Sequence, residues 1–155
     1  MEYNIIKANK ANLDDIVELW LKLMAIHEKL DPFFFSEINK EEYCDDLEGH
    51  IDNPEQIIFI AILNDVLIGY ITADIISRVS FFNKHTYCVI GDIMISENHR
   101  NTGLGKLLID EVKNWSKNNN VLRMELNVFA KNILAVNFFK NIGFQNNFHT
   151  LFIEL

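Results

Sequence analysis

A glycine-containing loop between a predicted strand and a predicted helix is the feature that most constrains how this chain folds. An apolar strand pattern, Tyr87–Ile95, precedes the loop, and a helical repeat of apolar residues follows it to about Lys117. The first N–H groups of a helix have no partner inside the helix, and the helix dipole places partial positive charge there. Because glycine has no Cβ, Gly103 and Gly105 let the backbone come close to an anion. The loop therefore predicts a phosphate or pyrophosphate site, and it reads Arg100-Asn101-Thr102-Gly103-Leu104-Gly105-Lys106.

The spacing within this glycine loop, residues 100–106, excludes two common phosphate motifs. A Walker loop needs Gly, four residues, and then Gly-Lys-Ser/Thr, but Leu107 follows Gly105-Lys106 and Arg100 stands where the first glycine would be. A Rossmann fingerprint needs a third glycine at a fixed offset, which Lys106-Leu107-Leu108 does not supply. The spacing that remains is Arg/Gln-x-x-Gly-x-Gly/Ala after a strand.

Length and composition indicate a globular protein inside the cell. A chain of 155 residues predicts a single domain over residues 1–155. The N-terminus has no basic segment followed by an apolar run, and no stretch approaches the roughly 18 apolar residues of a membrane span. Two cysteines are too few for a disulfide framework, so we expect a cytoplasmic protein without membrane contact. The net charge of −8 argues against nucleic acid as a partner and mildly favours cationic small molecules, although solubility alone also explains it.

The pattern of apolar residues, caps and turns predicts the order β-α-α-β-β-β-α-β-α-β. Such an order predicts an α/β (α+β) fold, with a mixed sheet and helices on both faces. Asn64-Asp65 is typical of a tight hairpin turn between the second and third strands. The predicted strands are 3–7, 57–63, 66 to about 77, 87–95, 121–128 and 148–154, and the predicted helices are 13 to about 30, about 39–51, 104 to about 117 and 132–141.

Two segments of the chain resemble the GNAT superfamily of N-acetyltransferases. The run Asp92-Ile93-Met94-Ile95-Ser96-Glu97-Asn98-His99-Arg100 is similar to the family's fourth strand and its approach to the loop. Leu126-Asn127-Val128, followed by residues 132–144 with a closing Gly143-Phe144, is similar to the fifth strand and fourth helix. The strong match covers about residues 87–145, and the N-terminal part agrees in element order only. The resemblance implies the GNAT fold, in which a central, mostly antiparallel twisted sheet has helices on both faces.

The resemblance also implies acetyl-CoA as co-substrate, bound where the fourth and fifth strands splay apart, and no metal. The backbone of Ile93, Met94 and Ile95 would pair with the pantetheine arm, and an N–H near Met94 would hold the thioester carbonyl. The amides from Arg100 to Lys106 would wrap the pyrophosphate. Asn132 matches an asparagine that touches the CoA arm, although its alternative role is a helix N-cap. Lys106 is either a phosphate contact or a solvated surface lysine. Dimers are common in the family, so a monomer or a homodimer is expected.

The implied reaction moves an acetyl group to an amine, and here the chain departs from the family pattern. Phe139 stands where many members have a tyrosine as general acid, and Asn127 stands where some have a catalytic glutamate. Protonating the leaving thiolate, whose pKa is near 8.5, contributes only about 2 kcal/mol at neutral pH. An alkyl ammonium, with a pKa near 10.4, costs about 4–5 kcal/mol to deprotonate. The base therefore matters more than the acid.

Three side chains are candidates for the base. Asp92 lies beside the expected thioester site and matches an acid that is frequent there, with a strand-end hydrogen bond as its alternative role. Glu125 shares a strand face with Asn127, with solvent exposure as the alternative. His27, near the end of the first helix, has a suitable pKa and lies in a region that lines the acceptor site in the family. Tyr87 is a further candidate donor, although a strand aromatic explains it as well.

The implied acceptor pocket draws on the first two helices and the 78–85 loop. Its candidate cation-attracting residues are Glu41, Glu42, Asp45, Asp46 and Glu48, and its candidate apolar lining is Phe33, Phe34, Phe35, Phe81 and Phe82. A solvated helix face and ordinary packing are the alternatives for these two sets. The function predicted is transfer of acetyl from acetyl-CoA to a primary amine of a small molecule or peptide. The alternatives are an acyl-CoA-binding module without catalysis and a protein N-terminal or lysine acetyltransferase.

Overall fold

The computed structural model describes residues 3–35, 37–79 and 84–154, and the side chains of Phe34, Val79 and Lys84 are not described. Nine of its elements correspond to predicted ones, and the short α2, which begins at Pro32, is additional. Proline suits the first position of a helix because its missing N–H would be unpaired there anyway. The elements are β1 Asn4–Lys7, α1 Leu13–Leu30, α2 Pro32–Phe35, α3 Lys40–Asp52, β2 Gln56–Leu63, β3 Val66–Val79, β4 Lys84–Ile95, α4 Leu104–Asn118, β5 Met124–Leu126 and α5 Ile133–Asn141.

The five strands form one sheet in the order β1-β2-β3-β4-β5. The first three pairings are antiparallel, and β4 pairs with β5 in parallel, so the prediction of a mixed, mostly antiparallel sheet is confirmed. The β2–β3 hairpin turns on Asn64 and Asp65, whose φ angles are 50° and 63°. Two successive positive φ values define the type I′ turn, whose twist matches that of the flanking strands.

Both faces of the sheet are covered by helices, as predicted. Helices α1 and α3 pack on one face around Ile16, Leu47 and Tyr70, which are fully buried. Helix α4 packs on the other face around Ile71 and Leu108, together with α5. Each large side chain removed from water in this way contributes about 1.5–3 kcal/mol. The two cores share one sheet, and the single domain over residues 1–155 stays a prediction.

Helix α1 follows its apolar repeat closely. Ile16, Leu23 and Trp20 are buried, as the helical spacing predicts. The side chain of Asn12 does not cap α1 but accepts a hydrogen bond from the Asn9 N–H at 2.9 Å, within the preceding 3₁₀ turn.

Among the helices of the described residues, none combines the length and the apolar character that crossing a membrane requires.

The predicted last strand, residues 148–154, is wrong. This segment has no regular secondary structure, and Leu151 is 90% exposed. Apolar residues favour a strand only where a neighbouring strand supplies hydrogen bonds and a surface to pack on. None of the described strands pairs with this segment. Strand β5 is likewise shorter than predicted, because its pairing with β4 covers only Met124–Leu126.

Candidate active site

A β-bulge in β4 sets the geometry of the site. Ile71 of β3 pairs with Ile93 of β4, and Ala73 pairs with Ile90. Two residues of β4, Gly91 and Asp92, therefore lie opposite the single residue Thr72. The Thr72 Oγ1 accepts a hydrogen bond from the Asp92 N–H at 2.8 Å. A Cβ at position 91 would lie 2.7 Å from this oxygen, so the bulge needs glycine there. Bulges redirect the side chains beside them, and this one carries Asp92.

The strands β4 and β5 separate just beyond the bulge. Their parallel pairing runs from Cys88 to Ile90 on β4, whereas β4 itself continues to Ile95. The backbone of residues 92–95 therefore has no β5 neighbour. This gap lies where the pantetheine arm is expected, and the contacts of Ile93, Met94 and Ile95 with it stay a prediction.

The two glycines of the loop differ in their surroundings. Gly103 is the N-cap of α4 with a φ of 86°, and a Cβ there would meet nothing within 4 Å. No side chain caps this helix end, so its first amides have no side-chain partner. At Gly105, in contrast, a Cβ would lie 3.0 Å from the Phe138 ring and 3.3 Å from Ile95. Gly103 thus fits a pyrophosphate site, whereas Gly105 lets α4 approach α5 and β4.

Arg100 connects the loop back to the end of β4. Its Nε donates a hydrogen bond to the Ile95 carbonyl at 3.2 Å, and its guanidinium lies 3.9 Å from the Met94 sulfur. The Thr102 hydroxyl donates to the His99 carbonyl at 2.7 Å. The guanidinium therefore adds positive charge at the strand end that leads into the loop.

Lys106 and Asn132 both make contacts that fit their structural alternatives. The Lys106 Nζ lies 2.8 Å from Asp110, one helical turn further along an exposed face of α4. The Asn132 side chain accepts a hydrogen bond from the Ala135 N–H at 3.2 Å and so caps α5. Contacts of these two side chains with CoA stay predictions.

Asp92 lies in a partly buried polar cluster that sequence reasoning did not find. Its Oδ2 accepts a hydrogen bond from the Tyr43 hydroxyl at 2.9 Å, and the Tyr70 hydroxyl lies 3.4 Å from that of Tyr43. Burial raises the pKa of Asp92, while the Tyr43 hydrogen bond acts in the opposite direction. The only sequence signal for Tyr43 is its helical spacing with Leu47 and His50, which places the three on one face of α3.

His27 is held among aromatic rings close enough to Asp92 to feel its charge. Its ring lies 5.2 Å from that of Phe35 and 5.3 Å from that of Phe129, in the segment after β5. Burial lowers the pKa of His27, and the charge of Asp92 opposes that effect. Its Nδ1 is buried without a hydrogen-bond partner. The lowered pKa leaves the imidazole mostly neutral at pH 7, and of the other two candidate bases His27, not Glu125, acts on the pKa of Asp92 through its charge.

The remaining candidate catalytic positions are engaged elsewhere. Glu125 lies 2.6 Å from the Arg123 Nε, and no hydrogen bond or ion pair of the described residues joins it to Asp92. Phe139 is buried, with its ring edge-to-face against Phe138 and Phe144. These contacts give Phe139 a packing role in the core beneath α5.

The ring of Tyr87, the lesser candidate donor, lies beneath the Arg78 guanidinium, 5.8 Å away. This contact is at the far end of β4 from Ile95. It fits the alternative reading of Tyr87 as a strand aromatic.

A cavity of about 240 Å³ adjoins Asp92 on the face that α3 covers. Of the acidic residues proposed for an acceptor pocket, Asp46 reaches this cavity, whereas Glu48 lies 2.7 Å from Lys10. A wider hollow lies only along residues 37–42 and includes Glu41 and Glu42. Phe81 and Phe82 lie outside the described residues. The cavity is lined by Tyr43, Asp46, Leu47, His50, Thr72, Asp74, Gly91 and Asp92.

His50 was not predicted to take part, and it supplies a positive charge to this cavity. Its Nε2 lies 3.1 Å from the Asp74 carboxylate, and its Nδ1 lies 2.9 Å from the Asp46 carbonyl. Acceptors on both nitrogens favour the imidazolium, and the hydrogen bond to Asp74 raises the pKa of His50 to about 9 although burial opposes it. Burial acts to raise the pKa of Asp74, but the hydrogen bonds from His50 and Gln56 outweigh it, so this pKa is lowered.

Among residues 3–35, 37–79 and 84–154, no group of three His, Cys, Asp or Glu side chains is arranged to hold a metal ion.

Comparisons with known proteins show which family and which fold the chain shares. The chain is 24% identical over 143 residues to an uncharacterized N-acetyltransferase of Methanocaldococcus jannaschii. The matched stretch covers 92% of this chain and 61% of that protein. It therefore spans about three fifths of the length of that relative.

Two solved structures have the same fold. A tetramutant of the BH1408 protein of Bacillus halodurans has a TM-score of 0.88 at 16% identity, over 98% of this chain and 99% of that one. The aminoglycoside acetyltransferase AAC(6')-Iy, in complex with a bisubstrate analogue that joins CoA to acetylneamine, has a TM-score of 0.79 at 20% identity, over 100% of this chain and 99% of that one.

The model of the Acetyltransferase (GNAT) family matches residues 20–144. This match runs from α1 through the bulge, the glycine loop and α5. The chain therefore belongs to the GNAT family of acetyltransferases.

Proposed function

We propose that this chain is an N-acetyltransferase that moves the acetyl group of acetyl-CoA directly to the primary amine of a small molecule or peptide. The observation that carries the proposal is the position of Asp92. Its partly buried carboxylate lies at the bulge where β4 separates from β5, beside a cavity and on the strand that leads to the glycine loop. Donor site, base and acceptor space are thus adjacent on one strand.

The proposed donor site uses the backbone more than side chains. The open helix end at Gly103 suits a pyrophosphate, because unpaired amides and the helix dipole both favour an anion. Arg100 adds a cation between the loop and the strand end. The splayed backbone of Ile93, Met94 and Ile95 would receive the pantetheine arm. The structural neighbour AAC(6')-Iy was solved with a CoA-containing analogue, which supports CoA at the corresponding place.

In the proposed reaction Asp92 takes one proton from the acceptor ammonium. The amine nitrogen then attacks the thioester carbon, a new C–N bond forms and the C–S bond breaks. The departing thiolate takes the second amine proton, or one from solvent, so the buried Phe139 is not needed as an acid. A raised pKa suits Asp92 to this task, because a base works best when its pKa approaches the operating pH. A backbone N–H near Met94 would stabilise the developing oxyanion.

The cavity supports a small cationic acceptor. Asp46, Asp74 and Asp92 line it, and a single His50 imidazolium lies 3.1 Å from the Asp74 carboxylate and 3.5 Å from that of Asp46, so the carboxylates outnumber the cation. Its volume of about 240 Å³ lies below the usual 300–1,000 Å³ of ligand pockets, so it suits a compact amine or the end of a longer one. The neighbour AAC(6')-Iy, crystallised with an acetylneamine analogue, supports a small polar amine over a peptide.

The test measures CoA release from acetyl-CoA with polyamines, aminoglycosides and peptides as acceptors. We expect amine-dependent turnover in the wild type and a loss of about 100-fold or more in Asp92→Asn, since a general base contributes about 10²–10⁴-fold. Acetyl-CoA affinity should not change, and Glu125→Gln is the matched control that should keep its activity. Tight acetyl-CoA binding without turnover would favour the acyl-CoA-binding module, which Phe139 and Asn127 motivate. A preference for peptides would favour a protein acetyltransferase.

A further inference from the structure

The proposed base receives a hydrogen bond from an element that lies far from it in sequence. Tyr43 of α3 and Asp92 of β4 are 49 residues apart, and 2.9 Å separates the hydroxyl from the carboxylate. The Tyr43 ring stacks on that of Trp20, with centroids 3.9 Å apart and an interplanar angle of 9°. On its other side the hydroxyl lies 3.4 Å from that of the fully buried Tyr70. These contacts fix the position from which the hydroxyl addresses Asp92.

Two roles are open to such a hydroxyl: donating a proton to the leaving thiolate, or supporting the base. Burial raises the pKa of Tyr43 far above its ordinary value, and its neighbours Tyr70 and Asp92 act in the same direction. A phenol in this state gives up its proton less readily than one in water. It therefore keeps its O–H and donates a hydrogen bond, which suits support of Asp92 and not acid catalysis.

The groups around Asp92 leave Tyr43 as its closest charge-stabilising partner. From α1, the charge of a protonated His27 lowers the pKa of Asp92, less strongly than the Tyr43 hydrogen bond does, and burial lowers the pKa of His27 itself. From α3, the His50 imidazolium and the Asp46 carboxylate act on the pKa of Asp92 in opposite directions, and less strongly than Tyr43 does. Burial is the largest influence on Asp92, and the Tyr43 hydrogen bond is the largest one that opposes it.

We propose that Tyr43 is the positioning residue for the base, and that its hydroxyl holds the Asp92 carboxylate in one orientation and keeps it ionised. This inference rests on the proposed function. It assigns to α3 a part in the reaction that neither the glycine loop nor the strand motif indicates. Tyr43 acts through Asp92, and it is not itself the proton donor that Phe139 lacks.

The test uses Tyr43→Phe, which keeps the ring and its stacking on Trp20 and removes only the hydroxyl. The titration of the Asp92 carboxyl carbon is followed by NMR in the free protein, with Asp92→Asn to assign the signal. We expect the pKa of Asp92 to rise by about one unit in the variant. The acid limb of the pH–rate profile should move by the same amount. On the plateau above that limb, kcat should fall about 10-fold because the carboxylate is no longer held in one orientation, while the KM for acetyl-CoA stays within about twofold. Tyr87→Phe, elsewhere on β4, is the matched control.

The outcomes separate this inference from the proposed function. Normal wild-type turnover with an unmoved Asp92 titration in Tyr43→Phe would overturn the role of Tyr43 alone. An equal shift in Tyr87→Phe would overturn it as well, since the effect would then not depend on the hydrogen bond. A wild type that releases no CoA with any amine would overturn the acetyl-transfer proposal, whatever the titration shows.

Discussion

At the scale of single residues, the two glycines of the loop are needed for different physical reasons. Gly103 has a φ of 86°, a conformation that costs other L-residues about 1–2 kcal/mol, and open space lies beside it. Gly105 has an ordinary φ, and its missing side chain is explained by Phe138 and Ile95 at 3.0 and 3.3 Å from a virtual Cβ. The motif spacing predicts both glycines but does not distinguish these reasons, because the second depends on a helix more than 30 residues away.

Substituting each glycine by alanine should separate the two reasons. Gly103→Ala should lower the free energy of unfolding by about 1–2 kcal/mol and weaken CoA binding, because the new methyl group occupies the space in front of the amides. Gly105→Ala should cost stability through Phe138, so Phe138→Leu should relieve that cost, with a coupling of about 0.5–2 kcal/mol in a double-mutant cycle. Urea unfolding and calorimetric CoA titration measure the two effects. Additive effects of Gly105→Ala and Phe138→Leu would contradict the packing account.

At the scale of elements, the bulge in β4 joins strand geometry to chemistry. It places two residues opposite Thr72, whose hydroxyl satisfies the extra backbone N–H at 2.8 Å. The sequence predicts β4 and Asp92, and the register that pairs them with Thr72 appears only when β3 and β4 are aligned. Gly91 is accordingly a residue that the motif analysis passed over, although the bulge depends on it.

Thr72→Val should show what the hydroxyl contributes to the bulge. Valine keeps the shape but leaves the Asp92 N–H without its acceptor in a buried place, which costs about 1–3 kcal/mol of unfolding free energy. Thr72→Ser keeps the oxygen and is the matched control, with a smaller expected loss. Urea unfolding of both variants measures the difference. If the serine and valine variants lose equal stability, the hydrogen bond contributes no more to the bulge than the packing of the threonine methyl group does.

At the scale of the whole molecule, one sheet carries two cores, and α3 is tied to it by a charge. The His50 imidazolium of α3 lies 3.1 Å from Asp74 of β3. The hydrogen bond to Asp74 raises the pKa of His50 to about 9, whereas an unfolded histidine has a pKa near 6.5. The folded state therefore holds this proton more tightly. The stability it contributes is complete below about pH 6.5 and is lost as the pH rises through about 9.

A comparison of wild type with His50→Gln tests this pH dependence. The difference in unfolding free energy between the two should shrink by about 1–3 kcal/mol between pH 6 and pH 10, after allowance for solvent screening. Urea unfolding at several pH values measures it, and groups common to both proteins, such as Cys88, cancel in the difference. A difference that does not change with pH would show that His50 is neutral in the folded protein.

The sequence by itself determined most of the elements and the family, because both are written in local patterns. Helical spacing predicted α1 and α4, the Asn64-Asp65 turn predicted the hairpin, and the loop spacing with the segment from Asn132 identified the family. The same local reasoning failed at residues 148–154, where a strand-like pattern finds no described strand to pair with. Only the tertiary structure brought Tyr43 and His50 to Asp92. Their positions depend on how α3 packs on β2, from where the two side chains reach Asp92 of β4 and Asp74 of β3. Contacts between elements so far apart in the chain leave no periodicity or spacing in the sequence.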